Sequence, residues 1–501
     1  MTFFKSVLMG GFIRLSTLVF GFLSSVIVAR VLGADENGIV AYSIWLATTA
    51  ASVADLGLPN ALSRYGDGYR DGVDWKDQAS TLFLPFVATS LALTAAFVLW
   101  GALRHGQDAQ DDALFWFTTA ALLIAVALAA YTGAVARGLR EIHVSSIETL
   151  IGCLLQVPAV LVGAWWFGVP GAIFGYILRY LPQAIGVARY VDPRRMRSVQ
   201  VPRRVTTMAR DAWVSNLLGM LIWTRLEFVF IGFYCDSYQL GYYTVGMSLA
   251  SLMIQLPLQL SAEIVPFLGR LHDDENHAEI ERLYRGMARA MALLMFPICL
   301  GGAAITPRLL VVLFGAEFEP AARMSEVLVA LSAASALATV PTSLLMSREK
   351  TNVLLRAAPV AGGAMILGLL VVVPFGAGLG AAWVRGAIHL AWFLGLALFV
   401  QRVMRLSLPT GALLKTLAAA IACALAARMT VDELPHVAGI VAAVGVGAVV
   451  YVFVLRITRA IDLSEMDGVV GVLDRMPSGA ARRVLAFALA VVDPHVKVAA
   501  R

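Results

Sequence analysis

The sequence predicts an all-α polytopic membrane protein with about 14 transmembrane helices. Three observations predict it. Of 501 residues, 59% are hydrophobic and only 14% are charged, with a mean hydropathy of +0.78, whereas a soluble chain is about 25% charged. Apolar runs of spanning length recur along the whole chain. The basic residues are sorted between alternate loops, as orientation in a membrane requires. Together these exclude a water-soluble enzyme and a disordered scaffold.

A spanning helix needs ~20 apolar residues. Runs that meet this length fall at about 8–30, 38–61, 79–103, 113–136, 144–167, 170–190, 212–234, 241–266, 287–306, 322–346, 353–374, 378–400, 410–428 and 436–456. Each run is continuous, which argues against a barrel of short alternating strands. The opening MTFFKSVLMGGF leads straight into the first run without a small-residue cleavage site. It reads as a retained span, not a signal peptide. Cys153, Cys235, Cys299 and Cys423 are widely separated and form no CxxC pair. They read as small core residues.

With both termini on the cytoplasmic side, 29 of the 39 Lys and Arg face the cytoplasm. Arg30, Arg104, Arg308, Arg323 and Arg428 face outward. The outer turns instead collect acids, among them Asp35, Glu36, Glu317, Glu319, Asp432 and Glu433. This asymmetry fits an even number of spans.

The longest polar connection, DPRRMRSVQVPRRVTTMARD, carries six arginines and lies near residue 200. It reads as a linker between two halves that share weak similarity. Gly38, Leu46 and Ala47 match Gly241, Leu249 and Ala250, and FGVPGA at 167–172 resembles FGAGLGA at 375–381. The expected organisation is an N-terminal lobe of helices 1–6 at 1–195, a basic linker at 196–211, and a C-terminal lobe of helices 7–12 at 212–405. Helices 13 and 14 follow at 406–457, then a cytoplasmic amphipathic tail at 458–501 whose short apolar run suits an interfacial helix. Duplicated halves are a common transporter plan, with the binding site between them.

Charges inside spans are the informative departures. An Arg at a bilayer centre costs ~3 kcal/mol or more, so it usually faces a protein interior or a water-filled cavity. Arg14, Arg179, Arg225, Glu227 and Arg385 are the candidates for a substrate-binding cavity. Arg225 and Glu227 are two residues apart, so an ideal helix points them to nearly opposite sides. Arg14 is close enough to its span's end to snorkel instead, and Arg289 reads as an interfacial anchor. A guanidinium stays charged and matches phosphate oxygens bidentately, so several of them suit an anionic headgroup. Trp45, Trp223, Tyr42, Tyr242 and Tyr243 could stack on sugars, or equally form the interfacial belt or packing.

No phosphate-binding loop, HExxH motif or suitably placed GxSxG motif occurs, and the seven histidines are scattered. The chain therefore reads as a non-enzyme with no cofactor and no metal site, leaving a coupling ion open.

The segment SSVIVARVLGADENGIVAYSIWLATTAASVADLGLPNALSRY resembles the polysaccharide-transport (Wzx-like oligosaccharide flippase) family, part of the multidrug/oligosaccharidyl-lipid/polysaccharide exporter superfamily. Ala29, Arg30, Leu32, Gly33, Glu36, Gly38, Leu56, Gly57, Leu58 and Arg64 carry the likeness. RLEFVFIGFYCDSYQLGYYTVG, IVPFLGRL and LVVLFGAEFEPA extend it into the second half. The resemblance implies two pseudo-symmetric six-helix lobes around a central cationic cavity, plus two C-terminal helices. It implies an alternating-access flippase for undecaprenyl-pyrophosphate-linked oligosaccharide, resident in the bacterial inner membrane. Its partners would be that lipid-linked substrate, membrane lipids and polysaccharide polymerase machinery, with no nucleic acid. Two alternatives remain at this point: a cation-coupled multidrug-type exporter, with Asp55 or Glu227 as the coupling carboxylate, and a membrane-embedded glycan polymerase or ligase. The shortness of the outer loops argues against the last.

Overall fold

The computed structural model describes residues 3–65, 75–103, 113–196, 200–223, 226–273, 277–348 and 350–458. Among these residues the regular structure is entirely helical. The interfacial helix expected in the tail falls on residues 459–501, outside the described residues.

The first helix, α1 (Phe3–Ala54), is too long for one crossing. Its 52 residues would run ~78 Å if straight, against a hydrocarbon core of ~30 Å. It breaks at Gly33 (φ 77°, ψ −175°), a backbone conformation that glycine adopts without a Cβ clash. The short α2 (Leu58–Tyr65), then α3 (Trp75–Leu103) and α4 (Ala113–Gly138) follow. The 44-residue α5 (Ile142–Ile185) breaks at Gly168 (φ 61°, ψ −138°). The short α6 (Val187–Tyr190) and a 3-10 turn at Pro193–Arg195 lead to α7 (Arg203–Trp223) and α8 (Glu227–Tyr234). Then come α9 (Ser237–Asp273), α10 (His277–Phe314), a 3-10 turn at Ala316–Ala321, and α11 (Ala322–Ser347). The 54-residue α12 (Thr351–Met404) breaks at Ala377 (φ 45°, ψ −140°), and α13 (Thr410–Val431) and α14 (His436–Thr458) close the series.

The break in α5 is a hairpin. A β carbon on Gly163 would lie 2.3 Å from the Gly171 carbonyl oxygen, and one on Gly175 would lie 2.6 Å from the Val160 nitrogen. A β carbon on Gly152 would lie 1.9 Å from the Arg179 carbonyl oxygen. Residues eight apart on a straight helix stand ~12 Å apart along the axis, so these contacts require two antiparallel limbs. Glycines at the crossing let the two backbones approach, as small residues do between membrane helices. The break in α12 also folds back: a β carbon on Gly368 would meet Val384 at 2.8 Å. Exposed aromatics stand at both turns, Trp165, Trp166 and Phe167 in α5 and Phe375 in α12, as an interfacial belt would place them.

Nine helical segments among the described residues are long and apolar enough to cross a membrane. The three broken helices each supply two of the expected spans, and α7–α8 and α9 cover the runs at 212–234 and 241–266. The series of about 14 spans is thus present as an ordered set of limbs. The element order also repeats. After the break at Gly33 come a limb, α3, α4 and a broken α5; after α8 come α9, α10, α11 and a broken α12.

The chain forms two compact units. One is Met1–Thr244 with Leu369–Gly378; the other is Val245–Gly368 with Leu379–Arg501. Within the first, α1 packs on α4 and α5, and α2 packs on α4 and α7. Tyr131 is buried against Phe83 and Phe86, and its hydroxyl donates to the Ala79 carbonyl, tying α4 to α3. Within the second, α10 packs on α11, α13 and α14. All four cysteines are free, with Cys153, Cys299 and Cys423 buried.

Candidate functional site

Arg179 lies on the second limb of α5 and is half-buried. Its Nη1 donates to Gln156 Oε1 on the first limb at 3.3 Å, and its guanidinium sits 5.4 Å from the Tyr180 ring centre. Across the packing face, a β carbon on Gly21 of α1 would stand 3.5 Å from Nη1, so glycine there leaves the group room. Gln156 is fully buried. No carboxylate pairs with Arg179 among the described residues; its partners are a neutral amide and an aromatic face. Further polar contacts cross the same limb pair toward α6: Gln183 with Ser145 at 2.8 Å, Arg189 with Glu148 at 3.0 Å, and Tyr190 with Glu141 at 2.8 Å. Arg179 is therefore the deep end of a polar seam that runs down the hairpin. A charged guanidinium with neutral neighbours keeps most of its donors for an anion.

Glu227 is the first residue of α8 and has no exposed surface. Phe228 beside it stacks on Trp45 at 6.3 Å and meets Tyr243 edge-on at 6.0 Å, while Tyr42 lies 5.7 Å from Trp45. Tyr42, Trp45 and Tyr243 therefore form one packed aromatic group, the packing alternative for these residues. The expected angle between Arg225 and Glu227 involves residue 225, which is outside the described residues. Arg14 lies on the first limb of α1, and its side chain is likewise outside the description.

Arg385 lies on the second limb of α12, in the second compact unit, and is only 7% exposed. It lines a narrow pocket, with room for about one water, together with His389, Ser332, Ser335 and apolar residues of α9 and α11. His389 is one helical turn from Arg385, so both face the same way. It is 3% exposed and hydrogen-bonds through Nδ1 to the Ser335 hydroxyl. Sequence reasoning overlooked His389 and Ser335. The signal available was the i, i+4 spacing of two basic residues on an otherwise apolar limb.

Asp55 belongs to a turn. Its Oδ1 accepts from the Gly57 nitrogen at 2.7 Å and its carbonyl accepts from Leu58 at 2.9 Å, which starts α2. Gly57 (φ 69°) needs its glycine twice over, since a β carbon would lie 2.0 Å from the Ala209 carbonyl oxygen of α7. Arg428 pairs with Glu326 at 2.9 Å and donates to the Ala304 carbonyl at 3.3 Å, linking α13 to α11 and α10.

Comparison with known proteins places this arrangement. The chain is 26% identical over 203 residues to a probable flippase, AglR, of Haloferax volcanii, an alignment covering 39% of this chain and 41% of that protein. It thus spans about two fifths of that relative's length. Its fold is similar to the lipid II flippase MurJ in an inward closed conformation (TM-score 0.74, 11% identity, 90% of this chain and 98% of the other). It is also similar to an inward-facing multidrug resistance MATE transporter of the MOP superfamily (TM-score 0.55, 14% identity, 78% and 96%). The sequence model described as polysaccharide biosynthesis protein matches residues 27–323. With more than half of its length matched, this multi-pass membrane chain belongs to the polysaccharide biosynthesis protein family and carries the helical fold of the MOP-superfamily transporters.

Proposed function

We propose that the chain is a flippase that carries an undecaprenyl-pyrophosphate-linked oligosaccharide from the cytoplasmic to the outer leaflet by alternating access, for export of a polysaccharide. The observation that carries the reading is Arg179, a permanent cation within a spanning hairpin whose partners are Gln156 and Tyr180. Such a group is costly to keep in a bilayer unless an anion or water meets it. A lipid pyrophosphate offers several negatively charged oxygens, pairs of which a planar guanidinium binds bidentately. Arg14, Arg225 and Arg385 complete the proposed cationic set, with Glu227 positioning an arginine or coupling an ion. The protein would work in a bacterial inner membrane with both termini cytoplasmic, beside the polymerase that consumes the flipped unit.

The test is glycan export in a deletion strain complemented with Arg179→Ala or Arg225→Ala at matched protein levels. Loss of export, with lipid-linked oligosaccharide retained on the inner leaflet, is expected. Normal export by both variants would remove the cationic-site assignment.

A second reading rests on Glu227, a carboxylate buried without exposed surface at the start of α8. In a cation-coupled small-molecule exporter it would take up and release the coupling ion. Glu227→Gln would then abolish drug resistance conferred by the protein while leaving glycan export unchanged.

A further inference from the structure

Arg137, in the last turn of α4, is a cation that the site described above does not use. Loop charge and the helix dipole both favour a positive group at this end of α4. Neither accounts for where its guanidinium lies. An arginine held by those two effects reaches along its helix toward water. The Arg137 side chain instead turns back over Gly133, one turn deeper. The position that a β carbon of Gly133 would take is 3.3 Å from Arg137 Nη1, 2.9 Å from Gln183 Nε2 and 3.6 Å from the Ser145 hydroxyl oxygen. Arg137 thus joins the polar seam of the α5 hairpin from the α4 side, and glycine at 133 leaves it the room.

The seam is unevenly charged. Among the described residues the Arg137 guanidinium makes no ion pair and no hydrogen bond. The two carboxylates of the seam are engaged by other groups, Glu148 by Arg189 at 3.0 Å and Glu141 by the Tyr190 hydroxyl at 2.8 Å. Gln183 Nε2 donates one hydrogen to Ser145 and retains the other. Arg179 precedes Gln183 by one turn on the same limb, so the two share a face. Arg137, Gln183 and Arg179 therefore follow one another along the hairpin. They run from the end of α4 that loop charge assigns to the cytoplasm to the deep end of the seam. Arg137 is also exposed, so a headgroup in the adjoining leaflet has access to it.

We propose that Arg137 is the entry contact for the pyrophosphate of the lipid-linked substrate. It takes the headgroup at the inner leaflet, and Gln183 passes it toward Arg179. This rests on the flippase reading and adds a starting point and a direction to it. A guanidinium offers paired N–H groups to two phosphate oxygens at once. Entry at an exposed cation that holds no carboxylate breaks no existing ion pair. A pyrophosphate is favoured there over the phosphodiester of a bilayer lipid, because it brings more negative charge to the same contact.

The test uses the purified full-length protein in detergent, with farnesyl pyrophosphate as the probe. In the unaltered protein, phenylglyoxal should modify Arg137 and farnesyl pyrophosphate should protect it, read residue by residue by mass spectrometry. This measurement needs no variant to fold. Affinities of variants are then compared by calorimetric titration. Arg137→Gln should bind at least about tenfold more weakly, as the loss of a charge-assisted contact implies. Gly133→Ala keeps every charge but crowds the guanidinium, and should weaken binding several-fold. Arg140→Gln, at an exposed arginine of the following turn, should bind like the unaltered protein. Absent protection of Arg137, or unchanged affinity in both Arg137→Gln and Gly133→Ala, would overturn the proposal. Equal weakening by Arg140→Gln would also overturn it, since the general field of the cytoplasmic face would then suffice. Equal protection by inorganic pyrophosphate would mark a site for soluble phosphate. Protection by phosphatidylglycerol nanodiscs but not by farnesyl pyrophosphate would mark a site for bilayer lipid. Either result overturns the assignment to the substrate. The flippase reading is judged apart, by glycan export. Normal export by Arg179→Ala and Arg225→Ala with Arg137 still protected would remove that reading and leave the contact standing, while lost export with Arg137 unprotected would do the reverse.

Discussion

Gly38 on α1 and Gly241 on α9 hold their two helices together in a reciprocal contact. A β carbon on Gly38 would lie 2.2 Å from the Ser237 carbonyl oxygen, and one on Gly241 would lie 1.9 Å from the Ala34 carbonyl oxygen. Ala34 and Gly38 each stand 203 residues before Ser237 and Gly241. Equivalent positions of the two repeats thus contact each other in the self-complementary way of a two-fold interface. Asn37 and Asp35 reinforce the contact: Asn37 Nδ2 donates to the Gly241 carbonyl at 3.4 Å, and the Ser237 hydroxyl donates to Asp35.

Either glycine should therefore resist any side chain. Gly38→Val or Gly241→Val forces the backbones apart, and overpacking of this kind costs about 1–3 kcal/mol. Thermal unfolding of the purified variants should show a clear fall in midpoint. Gly445→Ala, where no atom lies within 4 Å of the added carbon, should leave the midpoint within a degree or two. A tolerated Gly38→Val would contradict the close contact.

The two helix breaks at Gly168 and Ala377 share one backbone conformation, with φ of 61° and 45° and ψ of −138° and −140°. That region is almost exclusive to glycine and costs other residues about 1–3 kcal/mol. Ala377→Gly should accordingly stabilise the protein, while Gly168→Ala should destabilise it by a similar amount. Opposite shifts in thermal midpoint are the expected signature. A fall in both would show that the side chain of Ala377 contributes packing that outweighs its strain.

Asp55 separates a structural carboxylate from a coupling one. Its Oδ1 holds the Gly57 nitrogen, a role that asparagine can fill and alanine cannot. Asp55→Asn should retain both stability and transport, while Asp55→Ala should lose about 0.5–2 kcal/mol, the range for a lost helix cap. If Asp55→Asn folds normally yet stops transport, the carboxylate's charge is what matters, and the coupled-exporter reading gains ground.

Arg179 and Gln156 should be energetically coupled. A hydrogen bond to a charged group contributes about 1.5–3 kcal/mol. A double-mutant cycle with Arg179→Ala and Gln156→Ala, read by thermal stability, should give a non-additive coupling of at least about 0.5 kcal/mol. Strictly additive effects would mean that the amide does not hold the guanidinium.

Much of this was legible in the sequence because the bilayer is a simple solvent. Span length follows from hydrocarbon thickness, so most expected runs fall on a helix or on one limb of a broken helix; the run at 38–61 overshoots the end of α1 at Ala54 into α2, and the run at 212–234 covers parts of α7 and α8. Gly38 and Gly241 stood out as repeat matches, and FG at 167–168 and 375–376 marked both hairpin turns. The pairing of limbs was not legible. Gly152, Gly163, Gly171 and Gly175 are ordinary small residues until the fold sets them face to face. The same holds for Ser335, whose partner His389 is 54 residues away.

The sequence by itself determined which segments enter the membrane, where the chain repeats, and which charges are held within spans. Those properties depend on composition over ~20-residue windows, where local solvation dominates. Only the tertiary structure decided what each buried charge meets. Arg179 faces Gln156 across a glycine-packed hairpin, and Arg385 shares a narrow pocket with His389. Contacts between limbs far apart in sequence have no local signal, because they depend on how closely two backbones can approach.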